Sequence, residues 1–143
     1  MEKKGQLEIS FGMIFSTILV VIFLAAGFYA IQKFLDLQSD IQLKKLTEDL
    51  QKDVDSMWKS TQGSKSVEYV TPRKLTSVCF VNDPEKNTEL IFKRGRELKN
   101  INHIDLENTL VGRERSICAE PVDGKLTLVL EKKYGEPLVT IKI

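Results

Sequence analysis

The chain has 143 residues, with 21 Lys+Arg against 20 Asp+Glu and a formal net charge of +1 at pH 7. That length holds one small domain and excludes a multi-domain enzyme, and the balanced charge supplies no global drive towards nucleic acid or anionic lipid. With 8 Gly and 4 Pro, the chain is neither low-complexity nor collagen-like.

These averages conceal a division. Ile9 to Gln32 are 24 consecutive residues without a charge. As a helix rising ~1.5 Å per residue they extend roughly 36 Å, enough to cross a hydrocarbon core of about 30 Å. Ser16 and Thr17 interrupt the apolar run from Phe11 to Ile31, and helical hydroxyls can bond back to the preceding turn. A removed secretory signal is the competing reading of Glu2, Lys3, Lys4 and the run that follows. Such a signal has an apolar region of about 7–15 residues ending at a small-residue cleavage site. Here Ala25, Ala26 and Gly27 are followed by Phe28, Tyr29 and Ile31, which continue the run. The expected organisation is therefore a leader-like cytoplasmic segment 1–5 and a transmembrane helix 6–32, with the lipid bilayer as first partner. Lys3 and Lys4 precede the span and Lys33, Lys44 and Lys45 follow it. Long C-terminal domains translocate largely regardless of charge, so the expectation is a single pass of the cell membrane with N-terminus cytoplasmic and C-terminal domain extracytoplasmic.

Residues 33–60 contain no Pro or Gly and read as an amphipathic extension of the same helix. Phe34, Leu37 and Ile41 form one stripe; Leu43, Leu46, Leu50, Val54 and Met57 form a second that points nearly the opposite way. Either one long helix changes its buried face, or a capping box of Ser39 and Gln42 starts a new helix; the absence of a breaking residue favours continuity. The polar stretch Ser60 to Ser64 should end the helix.

Residues 61–143 change period. Val67–Val70, Ser77–Val81, Glu89–Phe92, Ser116–Val122, Lys125–Glu131 and Leu138–Ile143 are short β-branched or alternating runs between turns, while Lys99 to Val111 is ambiguous. Asp123-Gly124 predicts a two-residue hairpin joining Ile117–Val122 to Lys125–Leu130. Leu126, Leu128 and Leu130 share a face that the stripe Leu43 to Met57, with Trp58, can cover. The expected fold is α+β: a long N-terminal transmembrane and amphipathic helix, then a small antiparallel sheet packed on the helix's C-terminal half.

Cys79 and Cys118 form an even pair in strand-like stretches, which fits a disulfide and an oxidising exterior; two separate buried thiols are the competing reading. Neither has metal-type spacing, and no phosphate-cradling loop occurs, so no metal and no cofactor are expected. His103, the sole histidine, lacks nucleophile or ligand partners in Asn100 to Asp105 and reads as a surface or turn residue. Asp36, Asp40, Glu48, Asp49, Asp53 and Asp55, interleaved with Lys44, Lys45 and Lys52, look like a solvated helical face. Lys93, Arg94, Arg96, Lys99, Arg113 and Arg115 make a basic stretch diluted by Glu89, Glu97 and Glu114, without interleaved aromatics, so no nucleic-acid partner is expected.

The string Lys3-Lys4-Gly5-Gln6-Leu7-Glu8-Ile9-Ser10-Phe11, running at once into the apolar helix, resembles the class III signal of archaeal type IV prepilins and pilin-like surface proteins. The resemblance covers about the first 35 residues. It implies cleavage between Gly5 and Gln6 by a class III signal peptidase, retention of the helix, a β-rich head, and filament building by bundled helices. The family usually has Glu at the fifth mature position, whereas here Glu8 is third and Ser10 fifth. In a helix bundle Glu8 can pair with a neighbour's new α-amino group and set axial register; at headgroup level it is solvated beside Lys4. Gly12 and Ser16, like Ala26 and Ala30, stand four apart and allow close helix approach, hence a homo-oligomer through the N-terminal helix. The resulting expectation is a non-enzymatic structural subunit of a filament or pseudopilus-like assembly. The alternative is an uncleaved, membrane-anchored extracytoplasmic binding module that recognises an envelope component or partner protein.

Overall fold

The computed structural model describes residues 11–83, 88–92, 95–110 and 115–143. The chain forms two compact units, Met1–Gln38 and Ser39–Ile143. Helix α1, Phe11–Trp58, supplies residues to both and is helical through Ser39 without interruption. In the first unit its side chains are apolar and exposed all round as far as Ile31. In the second, Leu43, Leu46, Leu50, Val54 and Met57 are buried, the stripe expected from spacing, while Ile41 on the other face is exposed. A Lys132 Nζ bond to the Trp58 carbonyl caps the last turn, whose carbonyls have no partner within the helix.

Seven strands follow: β1 (Gly63–Val70), β2 (Leu75–Val81), β3 (Thr88–Phe92), β4 (Gly95–Lys99), β5 (Ser116–Ala119), β6 (Lys125–Lys132) and β7 (Thr140–Lys142), with a one-turn helix α2 (Leu106–Thr109) between β4 and β5. They form two antiparallel sheets, ordered β1-β6-β7 and β4-β3-β2-β5. Period 2 sorts their side chains: Val67 and Tyr69 of β1, and Leu126, Leu128 and Leu130 of β6, turn inward, whereas Ser66, Glu68 and Thr127 face outward. The inward residues, the α1 stripe, Val78 and Phe80 of β2 and Ile141 of β7 make one core. At about 25 cal/mol per Å² of apolar area removed from water, each fully buried Leu contributes roughly 2 kcal/mol. Thr109 ties α2 to β7, its buried Oγ1 accepting from Ile141 N at 3.0 Å.

The expected hairpin is corrected in part. Asp123 and Gly124 take φ of 51° and 75°, the positive values of a two-residue turn, and Val122 and Lys125 exchange backbone bonds of 2.9 Å across it. Beyond that bridge the strands separate: β5 pairs with β2, and β6 pairs with β1 and β7. Pro121 has no N–H to continue the ladder, and the β2–β5 register sets Cys118 opposite Cys79. The turn chemistry was right; the pairing was not.

Candidate functional site

Among the described residues, one helix is long and apolar enough to cross a membrane: α1, near the N-terminus. Within it Thr17 Oγ1 donates to Met13 O at 2.8 Å, so the hydroxyl needs no external partner. At the polar end of the apolar run Lys33 Nζ lies 5.7 Å from the Tyr29 ring centroid, a cation–π contact that suits an aromatic residue and a Lys at a membrane–water boundary. Gly12 and Ser16, and Ala26 and Ala30, fall one turn apart on this helix, and all four are exposed. A side chain at Gly27 would meet nothing within 4 Å, so the space for close approach by another helix is open there. Gly5, Gln6 and Glu8 lie outside the described residues.

Cys79 and Cys118 sit opposite each other on β2 and β5, their sulfurs 2.01 Å apart. Cys79 is buried and Cys118 exposed, and the period of 2 turns both away from the core face that Val78, Phe80 and Ala119 supply. Closing a loop of sequence separation 39 removes about 4 kcal/mol of chain entropy from the unfolded state.

Two polar clusters hold α1 to the rest of its unit, and both use carboxylates that the sequence presents as a solvated face. Asp53 accepts from Lys65 Nζ at 2.8 Å and from the Tyr69 hydroxyl at 2.9 Å. Burial pushes the Asp53 carboxyl up, but the bonds from Lys65 and Tyr69 outweigh it and hold it below the usual carboxylate value. Burial, with Asp53 adding to it, pushes the Tyr69 hydroxyl well above its ordinary range, so it remains a donor.

The second cluster gathers Gln51, Asp55 and Trp58 of α1 with Asn102 and His103. Spacings of four and three place the helical trio on one face. Asp55 Oδ1 lies 2.9 Å from His103 Nδ1 and accepts from Gln51 Nε2 at 2.7 Å. Gln51 also meets the Asn102 backbone, taking its N–H at 2.8 Å and giving to its carbonyl at 3.4 Å. The Trp58 and His103 rings stack with centroids 4.0 Å apart and planes 10° from parallel. The bond from His103 is the main cause that lowers the Asp55 carboxyl below its ordinary value. His103 does lie in a turn, at φ 67°, yet it has partners that local sequence did not offer. Trp58, expected over the sheet face, is instead 38% exposed and stacked on the histidine. A groove of about 670 Å³ runs beside the cluster between α1 and Asn100-Ile101, lined by Glu48, Lys52 and Lys59 among others.

Among the described residues no group of three or more His, Cys, Asp or Glu could hold a metal ion. Of the basic stretch, Lys93, Arg94 and Arg113 lie outside the described residues; Arg96 and Lys99 stand on β4, where Lys99 pairs with Glu97 at 2.6 Å. Comparison with protein-family models, curated proteins and solved structures finds no match to the chain.

Proposed function

We propose that the chain is a single-pass surface protein of the cell membrane, similar to archaeal type IV pilin-like proteins, and a non-enzymatic subunit of a filament or pseudopilus-like assembly. One observation carries the reading: α1 is apolar and exposed on every side from Phe11 to Ile31, then buries a separate stripe, Leu43 to Met57, in its own folded unit. An all-round apolar helix needs lipid or other helices to cover it. Gly5 and Gln6 resemble the cleavage junction of such a subunit, Glu8 stands third after it where the family usually has Glu fifth, and Gly12 and Ser16 permit close approach of neighbouring helices. The cysteine pair favours an oxidising compartment for the C-terminal unit, hence a cytoplasmic N-terminus.

Intact-mass measurement of the protein purified from its native membrane tests this. Loss of Met1 to Gly5, with Gln6 as the new N-terminus, is the expected result. Retention of all five residues in membrane-bound protein overturns the pilin-like route in favour of an uncleaved anchor carrying a binding module.

A further inference from the structure

We propose that His103, Asp55 and Trp58 form a pH-responsive clasp, which holds the connection between β4 and α2 on the last turns of α1 and tightens when His103 gains a proton. The inference is independent of the membrane reading. It rests on the conjunction, in one place, of the sole histidine and the sole tryptophan of the chain. Their rings stack, and a carboxylate on the next turn of the helix meets His103 Nδ1 at 2.9 Å. His103 occupies the left-handed region at φ 67°, a conformation that costs a non-glycine residue on the order of 1 kcal/mol and persists only where surroundings hold it. It is held from two sides: Gln51 fixes the neighbouring Asn102 backbone while Asp55 and Trp58 fix the ring, and the chain entering β7 fixes the backbone of the turn.

Histidine is the side chain whose charge ordinarily changes between pH 5 and 8. When it is charged, an ion pair with Asp55 adds to the hydrogen bond, and a cation beside the carbonyl end of α1 is favoured by the helix dipole. Glu48, Lys52 and Lys59 of α1 line the groove beside Asp55, Asp105 follows His103 two residues on as the N-cap of α2, and Lys132 of β6 already serves the Trp58 carbonyl. On the β7 side the contact is backbone: Val139 N donates to His103 O at 2.9 Å, and Asp105 N to Val139 O at 2.8 Å. The clasp therefore bears on how firmly the connection is laced to the chain entering β7. With Asp55 held ionised, the added attraction exists below the pH at which the imidazole discharges and disappears above it.

The full chain in detergent micelles provides the test. Followed down in pH across the range in which histidine ordinarily changes charge, Trp58 emission should show a single step, dimmer on the acid side because an imidazolium quenches a stacked indole, and His103→Gln should abolish it. Over the same range the exchange protection of the Asp105 and Val139 amides, corrected for intrinsic exchange, should rise about two- to fivefold, the scale of a partly exposed ion pair. Asp55→Asn should keep the fluorescence step and lose most of the rise in protection, leaving only what the helix dipole supplies. A wild-type protein with no step, or with protection that ignores pH, overturns the clasp; so does a rise of undiminished size in Asp55→Asn.

Discussion

Asp53 ties α1 to β1 through two bonds of different kinds, a charged one from Lys65 and a neutral one from Tyr69. Because its folded carboxyl lies below the unfolded value, the sign of its pH dependence follows: its contribution is complete above about pH 4, the unfolded value, and fades as pH falls through the lower folded one. Asp53→Asn should keep an acceptor for Tyr69 while losing the charge. Denaturant melts should show about 1 kcal/mol less stability at pH 7 and a shallower loss of stability below pH 4. Equal acid limbs in the two proteins would contradict this role. Neither Asp53 nor Asp55 was legible as a contact residue, since both stand in a helical stretch of interleaved acids and lysines that looks like any solvated face. Their partners are Lys65 and Tyr69, which reach Asp53 only because β1 folds back along the helix, and His103, 48 positions from Asp55. Local pattern cannot register an interaction that the tertiary fold alone creates.

At the scale of elements, the parts governed by period were legible. The stripe Leu43, Leu46, Leu50, Val54 and Met57 is the buried face of α1, and Leu126, Leu128 and Leu130 are the buried face of β6. Leu50 is 1% exposed at the centre of that contact; Leu50→Ala should cost about 3 kcal/mol, read as a lower chemical-denaturation midpoint, against under 1 kcal/mol for a comparable change at exposed Ile41 in micelles. A small effect at Leu50 would mean that the helix is not seated as described. The strand β4 was not legible because its sequence, Gly-Arg-Glu-Leu-Lys, carries the charges of an edge strand, and its pairing to β3 is backbone pairing. Trp58 was misplaced for the opposite reason: it continues the apolar helix in composition, but at the final position its ring is turned to His103. Turn type at Asp123-Gly124 is a local property and was legible; which strands pair beyond it depends on Pro121 and on the cysteine register, and was not.

The molecule as a whole divides into an apolar helical unit and a charged, mixed α and β unit, a division already visible in the charge-free run from Ile9 to Gln32. Its expected orientation can be checked with a membrane-impermeant thiol reagent on intact cells. Labelling should occur only after reduction, and Cys118, which is exposed, should react before buried Cys79. Labelling without reductant refutes the bridge, and labelling only after lysis refutes an external C-terminal unit. The bridge also alters the covalent path of the chain. Its ring encloses β3, β4 and α2, while α1, β1, β6 and β7 hang from it as two tails. A protease that cuts once anywhere between Cys79 and Cys118 therefore opens the ring without releasing a fragment, and the cut chain remains one covalent molecule, α1 included, until a reductant separates its halves.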